Sequence, residues 1–344
     1  MKVFGLLPYV DESEITRATG SFDPAFIRTL AECYDALGYE RVLIAQSASS
    51  PDSMTVAASV MQWTDRLKLM IAHRPGFVAP TMAARMLATI DQLSGGRCGV
   101  HIITATNDAE TRGDGDFLTK DERYARSREY VALLRQSWTA TEPFDHAGDA
   151  YRVEGARTMI RPVNGTIPIF WGGSSGLGVQ YGGECADVYA FAGTTIERSA
   201  ALIAQVRAAA APFGRSPRFL MSIRVVIAPD DAAAWARAGS IVATIKAQGG
   251  PSKKGLGSGS DESAARRVAE AMAARSTADP CLWGGVIEAT GGTSHAMALV
   301  GGPDQLVETL AAYESIGVDD VLLRGFDNLA DAQAVGELLI PRLG

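Results

Sequence analysis

The stretch from Ile167 to Glu184, IPIFWGGSSGLGVQYGGE, joins an apolar run to Gly172, Gly173, Ser174 and Ser175 and then to a segment with helical spacing. Glycines let backbone N–H groups approach an anion, the two hydroxyls add donors, and a helix N-terminus adds the positive end of its dipole. The chemistry this suits is the holding of a phosphate. A glycine-serine turn also caps helices that bind nothing, so on this stretch alone the cradle and the plain cap are both open. In CGVHIITATND, His101 and Thr104 stand near the end of a second apolar run, and in IAHRPG, His73 ends a third. Each histidine is either a ligand contact or a buried imidazole satisfied by a neighbouring carbonyl.

Other chemistries lack their signatures. There is no HExxH, and the four histidines are not spaced with carboxylates as metal ligands require, so no metal site is expected. No P-loop occurs. Cys33, Cys98, Cys185 and Cys281 lie far apart with no CxxC pair, which fits buried thiols in a reducing cytosol. A phosphate cradle with no acid-base pair or metal leaves a bound organic cofactor to carry the reactivity, and a phosphorylated flavin fits that description.

Such residues need rigid elements behind them. Apolar or β-branched runs bounded by Gly, Pro or Asp recur at Val3 to Pro8, Arg41 to Gln46, Leu67 to His73, Cys98 to Thr104, Ile167 to Gly172, Asp187 to Ala192, Phe219 to Ala228 and Asp320 to Gly325. Runs such as VLIA and LMIA suit strands buried on both faces, as parallel strands are. Amphipathic segments lie between them: Pro24 to Leu37 stops at Gly38, and Pro80 to Leu93 stops at the glycines after Ser94. Repeated β-then-α units predict an α/β chain folded as a single (β/α)8 TIM barrel over residues 1–344.

Two intervals exceed one crossover helix, about 105–166 and 229–319, and are expected as insertions after strands four and seven. The first holds a charged helix over Lys120 to Ala140 and a hairpin, FDHAGDAYRV, with its turn near His146 to Asp149. The second holds GGPSKKGLGSGSD, about 249–261, too poor in apolar residues to order itself and expected as a mobile loop, either a lid or a plain connector.

The 344 residues are 47% hydrophobic and 21% charged, which excludes a disordered chain. The formal charge of −7 is scattered with no basic run, so no nucleic-acid partner is expected. No window approaches the roughly 18 apolar residues of a membrane span, and the N-terminus turns acidic early, so a cytoplasmic protein is expected.

Taken together, LGYERVLIA, IAHRPGFVAPTMAARMLATIDQLSGGR, HIITATND with RGDGDFLTKDERY, PIFWGGSSG, LWGG, ALVGGPDQL and VGELLIPRL run in order from about residue 3 to 343. In that order they resemble the bacterial-luciferase-like flavin-dependent monooxygenases, and most the FMN-dependent alkanesulfonate monooxygenase branch. The resemblance implies a barrel that takes reduced FMN from a separate flavin reductase and uses O2 to oxygenate a small organic substrate. That substrate would be an organosulfur compound, sulfone or sulfonate, or a heterocycle. The reductase would be a transient partner, and the helix-rich exterior together with the resemblance implies a homodimer or homotetramer.

Carried over position by position, the FMN phosphate would meet Tyr124, Gly173, Ser174 and Ser175, while Ala72, His73, His101 and Thr104 would line the ring. Arg224 is the expected catalytic cation, holding negative charge on activated oxygen or a polar substrate head, with Ser50 and His73 beside it as catalytic candidates. The sulfonate enzymes place an arginine and a histidine two apart on strand seven; here Arg224 is followed by Val225 and Val226. Their loop arginine becomes Thr290, their late tyrosine Phe326 and their early cysteine Ser50. Each lost charge-assisted contact is worth about 1.5 to 3 kcal/mol. On the substrate side, with Thr290 in place of the arginine, Val226 and Phe326 therefore make the pocket more apolar and suited to a neutral or singly anchored molecule, while the nearby His295 is either a replacement polar group or a surface histidine. Two alternatives stand beside this reading: hydride transfer with a deazaflavin or FMN, and a flavin-binding protein without turnover.

Overall fold

Side chains buried on both faces make the apolar runs strands of a helix-covered sheet. The computed structural model describes residues 1–104, 108–173, 175–249, 268–269, 279–292 and 297–343. Its strands are β1 (Lys2–Leu7), β2 (Arg41–Ile44), β3 (Lys68–His73), β4 (Val100–Ile102), β5 (Phe144–Ala147), β6 (Arg152–Ala156), β7 (Ile169–Gly172), β8 (Val188–Ala192), β9 (Arg218–Ile227), β10 (Leu282–Trp283), β11 (Ala298–Gly301) and β12 (Asp320–Arg324). The α-helices are α1 (Pro24–Ala36), α2 (Ser53–Trp63), α3 (Pro80–Leu93), α4 (Asp108–Gly113), α5 (Lys120–Thr139), α6 (Gly176–Cys185), α7 (Ile196–Ala210), α8 (Asp231–Ala247), α9 (Gly285–Ala289), α10 (Pro303–Ser315) and α11 (Asn328–Leu338).

The eight parallel strands β1, β2, β3, β4, β7, β8, β9 and β12 form a closed circuit in that order, β12 returning to β1 and β8 pairing with β9. This is the expected (β/α)8 barrel, and each expected run coincides with one of these strands. The fourth is shorter than expected because side chains take its flanking backbone groups: Asp91 Oδ1 accepts from Cys98 N at 3.2 Å, and Arg123 Nε donates to Thr104 O at 2.9 Å.

Between β4 and β7 come α4, α5 and the antiparallel hairpin β5–β6. Ala147 pairs with Arg152, so the turn is Gly148 to Tyr151 rather than His146 to Asp149. Glu129 on α5 sets it, accepting from Ala150 N and Tyr151 N at 2.9 Å each and pairing with His146 Nε2 at 2.8 Å. Helix α5 begins with a capping box of Thr119 and Glu122. Between β9 and β12 lies a feature the sequence reading did not contain. Strand β11 runs parallel to β9 from Arg224 to Ile227, and β10 lies antiparallel to β11. Within the stretch expected to be mobile, residues 250–261 lie outside the described residues.

The chain divides into two compact units. The first comprises Met1–Val42, Phe191–Ala204 and Phe219–Gly344, the second Leu43–Ala190 and Gln205–Arg218. In the first, Gly5 admits the Tyr34 ring so closely that a Cβ there would lie 2.7 Å from it, and the Tyr34 hydroxyl donates to Leu6 O at 3.0 Å, seating α1 on β1. In the second, Trp138 Nε1 donates to Ala84 O at 3.0 Å and ties α5 to α3. Among the described residues no helix is long and apolar enough to cross a membrane, and no group of three or more His, Cys, Asp or Glu side chains is placed to hold a metal ion.

Candidate functional site

In parallel barrels the side chains free to do chemistry stand at the C-terminal ends of the strands. In the second unit that end of β7 carries the glycine-serine turn. Ser175 is the N-cap of α6, its Oγ accepting from Gly178 N at 3.2 Å, which leaves its own proton free to be donated. Gly173 has φ +147, a conformation that side chains disfavour, and a Cβ there would meet the Tyr124 hydroxyl at 2.5 Å. The same hydroxyl would lie 3.0 Å from a Cβ on Gly178, whereas a Cβ on Gly176 would meet open space. Gly173 O accepts from the Tyr189 hydroxyl, and Trp171 Nε1 donates to Gly178 O at 3.1 Å. The turn is thus held by Tyr189 and Trp171, with open space beside Gly176. Tyr124, Gly173 and Ser175 lie together at the N-terminus of α6; Ser174 lies outside the described residues.

His101, on β4 beside Phe170 of β7, has its Nδ1 buried with no hydrogen-bond partner. Burial pushes the imidazole down to about 4 while a hydrogen bond with the Phe170 backbone works against this. With that bond made by Nε2–H, the neutral ring presents Nδ1 as an unused acceptor. Thr104 is buried and its carbonyl is gripped by Arg123, which also donates to Leu118 O at 2.5 Å and to Asp108 Oδ1 at 2.9 Å. Arg123 went unread in the sequence. It stands beside Tyr124 on α5, and only its lack of exposure, 1%, separates it from the surface arginines of the same helix.

His73, 4% exposed, is likewise pushed down to about 4 by burial. Its Nε2 lies 2.7 Å from the Tyr130 hydroxyl, and that hydroxyl donates to Val78 O at 3.0 Å. With the tyrosine proton committed to Val78, His73 is the donor on Nε2, a neutral ring of fixed tautomer. Ala72 O accepts from Ser53 Oγ at 2.6 Å, which fixes the end of β3 to the start of α2. The Ser50 hydroxyl closes its own turn, accepting from Ser47 N at 2.8 Å and donating to Ser47 O and Pro51 O at 3.1 and 3.2 Å. That leaves Ser50 shaping a loop rather than acting as a free nucleophile.

The first unit carries Arg224, Val226, Thr290 and Phe326. Arg224 is 5% exposed, stacked 4.8 Å over the Phe326 ring, and donates through Nη1 to Gly325 O. Its Nη2 contacts both carboxylate oxygens of Glu14. Burial lowers the guanidinium to about 10, and the neighbouring Arg324 adds to this against Glu14. Both groups stay charged at neutral pH. Burial alone would raise the Glu14 carboxyl, but Arg224 and Arg324 together hold it below its usual value. Arg224 is therefore a paired cation, and its partner Glu14 stands in the irregular segment after β1. Val226 and Phe326 are buried in an apolar cluster with Ala234, Ile241, Val286 and Val300. Thr290 caps α9 and donates its hydroxyl to Ile287 O at 3.2 Å. Trp283 packs edge-on against Phe326 at 6.4 Å. His295 lies outside the described residues.

The chain is matched over residues 1–320 by a family model described as luciferase-like monooxygenase. Among solved structures it is similar to DmoA from Hyphomicrobium sulfonivorans, with TM-score 0.80, 18% identity, and coverage of 100% of this chain and 87% of that one. It is also similar to the EDTA monooxygenase EmoA from Chelativorans sp. BNC1, with TM-score 0.79, 18% identity, and coverage of 100% and 93%. A coenzyme F420 dependent tetrahydromethanopterin reductase from Methanopyrus kandleri gives TM-score 0.71 and 18% identity over 100% and 99%. At these identities the structures share the fold with this chain and speak to nothing finer. On the family match across nearly the whole sequence, this chain belongs to the luciferase-like monooxygenase family.

Proposed function

We propose that the protein is the oxygenating component of a two-component monooxygenase, taking reduced FMN from a separate flavin reductase and using O2 to oxygenate a small organic substrate. The observation that carries this reading is the convergence of the Tyr124 hydroxyl, Gly173 and the Ser175 hydroxyl on the open N-terminus of α6. A phosphate there gains two hydroxyl donors and the positive end of the helix dipole. The residues present also fit a ring with polar edges. His101 Nδ1 is a buried acceptor lacking a protein donor, and a flavin N–H would satisfy it.

When bound, reduced FMN supplies the electrons that activate O2, one oxygen atom entering the substrate and the other leaving as water. The chain's own part is to hold and to shield. Ser175, Tyr124 and the α6 N-terminus bind the phosphate, and His101 orients the ring. His73, neutral at pH 7 and fixed by Tyr130, offers no acidic proton to activated oxygen. On the substrate side we assign the polar end to the paired Arg224 and the apolar body to Phe326 and Trp283. That composition favours a neutral or singly anchored molecule, with sulfones and heterocycles first in a screen. The reductase is a transient partner in this reading, and the working form is a homodimer or homotetramer.

The test is a product screen with chemically reduced FMN and O2 over candidate organosulfur and heterocyclic compounds. Substrate-dependent incorporation of one atom of labelled oxygen is the expected result. Substrate turnover only with a reduced deazaflavin and without oxygen uptake would assign hydride transfer instead. Tight flavin binding with no product from any compound would leave a carrier.

A further inference from the structure

Strands β9 and β12 lie side by side in register so that Arg224 and Arg324 are direct neighbours, a pairing that is repulsive unless an anion sits with them. The anion present is Glu14, which places both carboxylate oxygens on Arg224 Nη2, the guanidinium nitrogen that Gly325 O leaves to an acid. Glu14 is not there by accident of a loose surface loop. The segment from Pro8 to Asp23 is docked on both sides of it. Asn328 Nδ2 donates to Asp11 Oδ1 at 2.9 Å, Gln248 Nε2 donates to Ile15 O at 3.1 Å, and Asp23 N donates to Tyr9 O at 2.8 Å. Ile15, the next residue, packs on the apolar cluster that contains Val226 and Phe326. The carboxylate is thus delivered by a fixed strap.

We propose that Glu14 is the specificity-determining residue of the substrate side: it fills the Arg224 guanidinium with the protein's own carboxylate and so rejects substrates whose head group is an anion. An incoming anion must either displace a pre-positioned carboxylate or sit against its charge, and both are unfavourable. Arg324 supplies the remaining positive charge, its Nη2 donating to Glu12 O at 3.5 Å. Asp331, the other carboxylate that Arg224 senses, is engaged by Phe326 N, Asp327 N and Arg237. The inference deepens the proposed function by naming the charge class of its substrate, and rests on the assignment of Arg224 to the substrate side. Glu14 acts through Arg224 and is a positioning residue.

The experiment uses the whole chain without flavin or oxygen, so its outcome is independent of whether FMN is the cofactor. Methanesulfonate and propionate are titrated calorimetrically into the unaltered protein, Glu14→Gln, Glu14→Gln with Arg224→Met, and Glu14→Gln with Arg324→Met. The expected result is no saturable binding to the unaltered protein and a gain of at least about tenfold in Glu14→Gln. The gain should disappear with Arg224→Met and survive Arg324→Met. Equal binding by the unaltered protein and Glu14→Gln overturns the proposal, as does a folded Glu14→Gln that binds neither anion. A gain that persists without Arg224 also overturns it. Should Glu14→Gln fail to fold, Glu14→Asp withdraws the carboxylate by one methylene, and the same gain, smaller, is required of it. Its absence counts against the proposal in the same way.

Discussion

The two units solve the same problem in opposite ways. In the second, the turn after β7 is braced by Tyr189 and Trp171, and on the neighbouring strand His101 Nδ1 is buried without a partner. In the first, the charged group that could meet a ligand is closed on itself, Arg224 holding Glu14 and Gly325 O and lying on Phe326. An unpaired buried polar atom is destabilising and persists where a ligand pairs it, whereas a buried ion pair persists because breaking it is worse than keeping it. The contrast separates a region built to receive from one built to select.

The sharpest way to break that contrast is to remove Arg224. Arg224→Met takes the hydrogen-bonded cation from the partly buried Glu14 carboxylate, leaving Arg324 nearby, and should cost about 3 kcal/mol in urea denaturation, while adding Glu14→Gln recovers most of it. A loss below about 1 kcal/mol would mean that the first unit is not closed by this pair. Next comes pH. His73 titrates in the folded state at about 4 against an ordinary 6.5, so the unfolded chain binds the proton first as pH falls. The stability it contributes is fully present above about pH 6.5 and is lost progressively toward pH 4, up to about 3 kcal/mol. Urea midpoints measured at pH 7.5 and about pH 4.5 should converge in His73→Gln relative to the unaltered protein.

Smaller effects sharpen the receiving side. Gly173→Ala brings a Cβ toward the Tyr124 hydroxyl at a φ of +147 and should weaken reduced-FMN binding by about 10- to 100-fold in an anaerobic fluorescence titration. Anion rejection by the first unit should be unchanged in that variant. Ser175→Ala removes the cap of α6 and should lower stability by about 1 kcal/mol, with a loss in reduced-FMN affinity of about tenfold.

The barrel was readable because its strands are apolar on both faces and its helices carry their own stops, as at Gly38 and Ser94, so the pattern is repeated in every unit of chain. Strands β10 and β11 were not, since Leu282–Trp283 and Ala298–Gly301 are too short for any period to show and depend on β9 for their partner. The same division runs through the site. Ser175 and Tyr124 announce themselves through a local turn and a motif. Glu14 and Arg123 act through partners distant in sequence, Arg224 and Asp108 among them, and an isolated charge in a polar stretch looks like any solvated one. The Ser50 and Thr290 hydroxyls both bond their own local backbone, which a hydroxyl at a plausible position in the sequence does not disclose.

The central claim is that the turn after β7 receives the phosphate of a reduced flavin. Anaerobic titration of the purified protein with reduced FMN and with reduced riboflavin, which lacks only the phosphate, tests it most directly. Saturable binding of reduced FMN, at least about 100-fold tighter than reduced riboflavin and reduced toward the riboflavin level by Tyr124→Phe with Ser175→Ala, is the predicted result. Equal affinity for the two flavins, or none for either, would contradict the account.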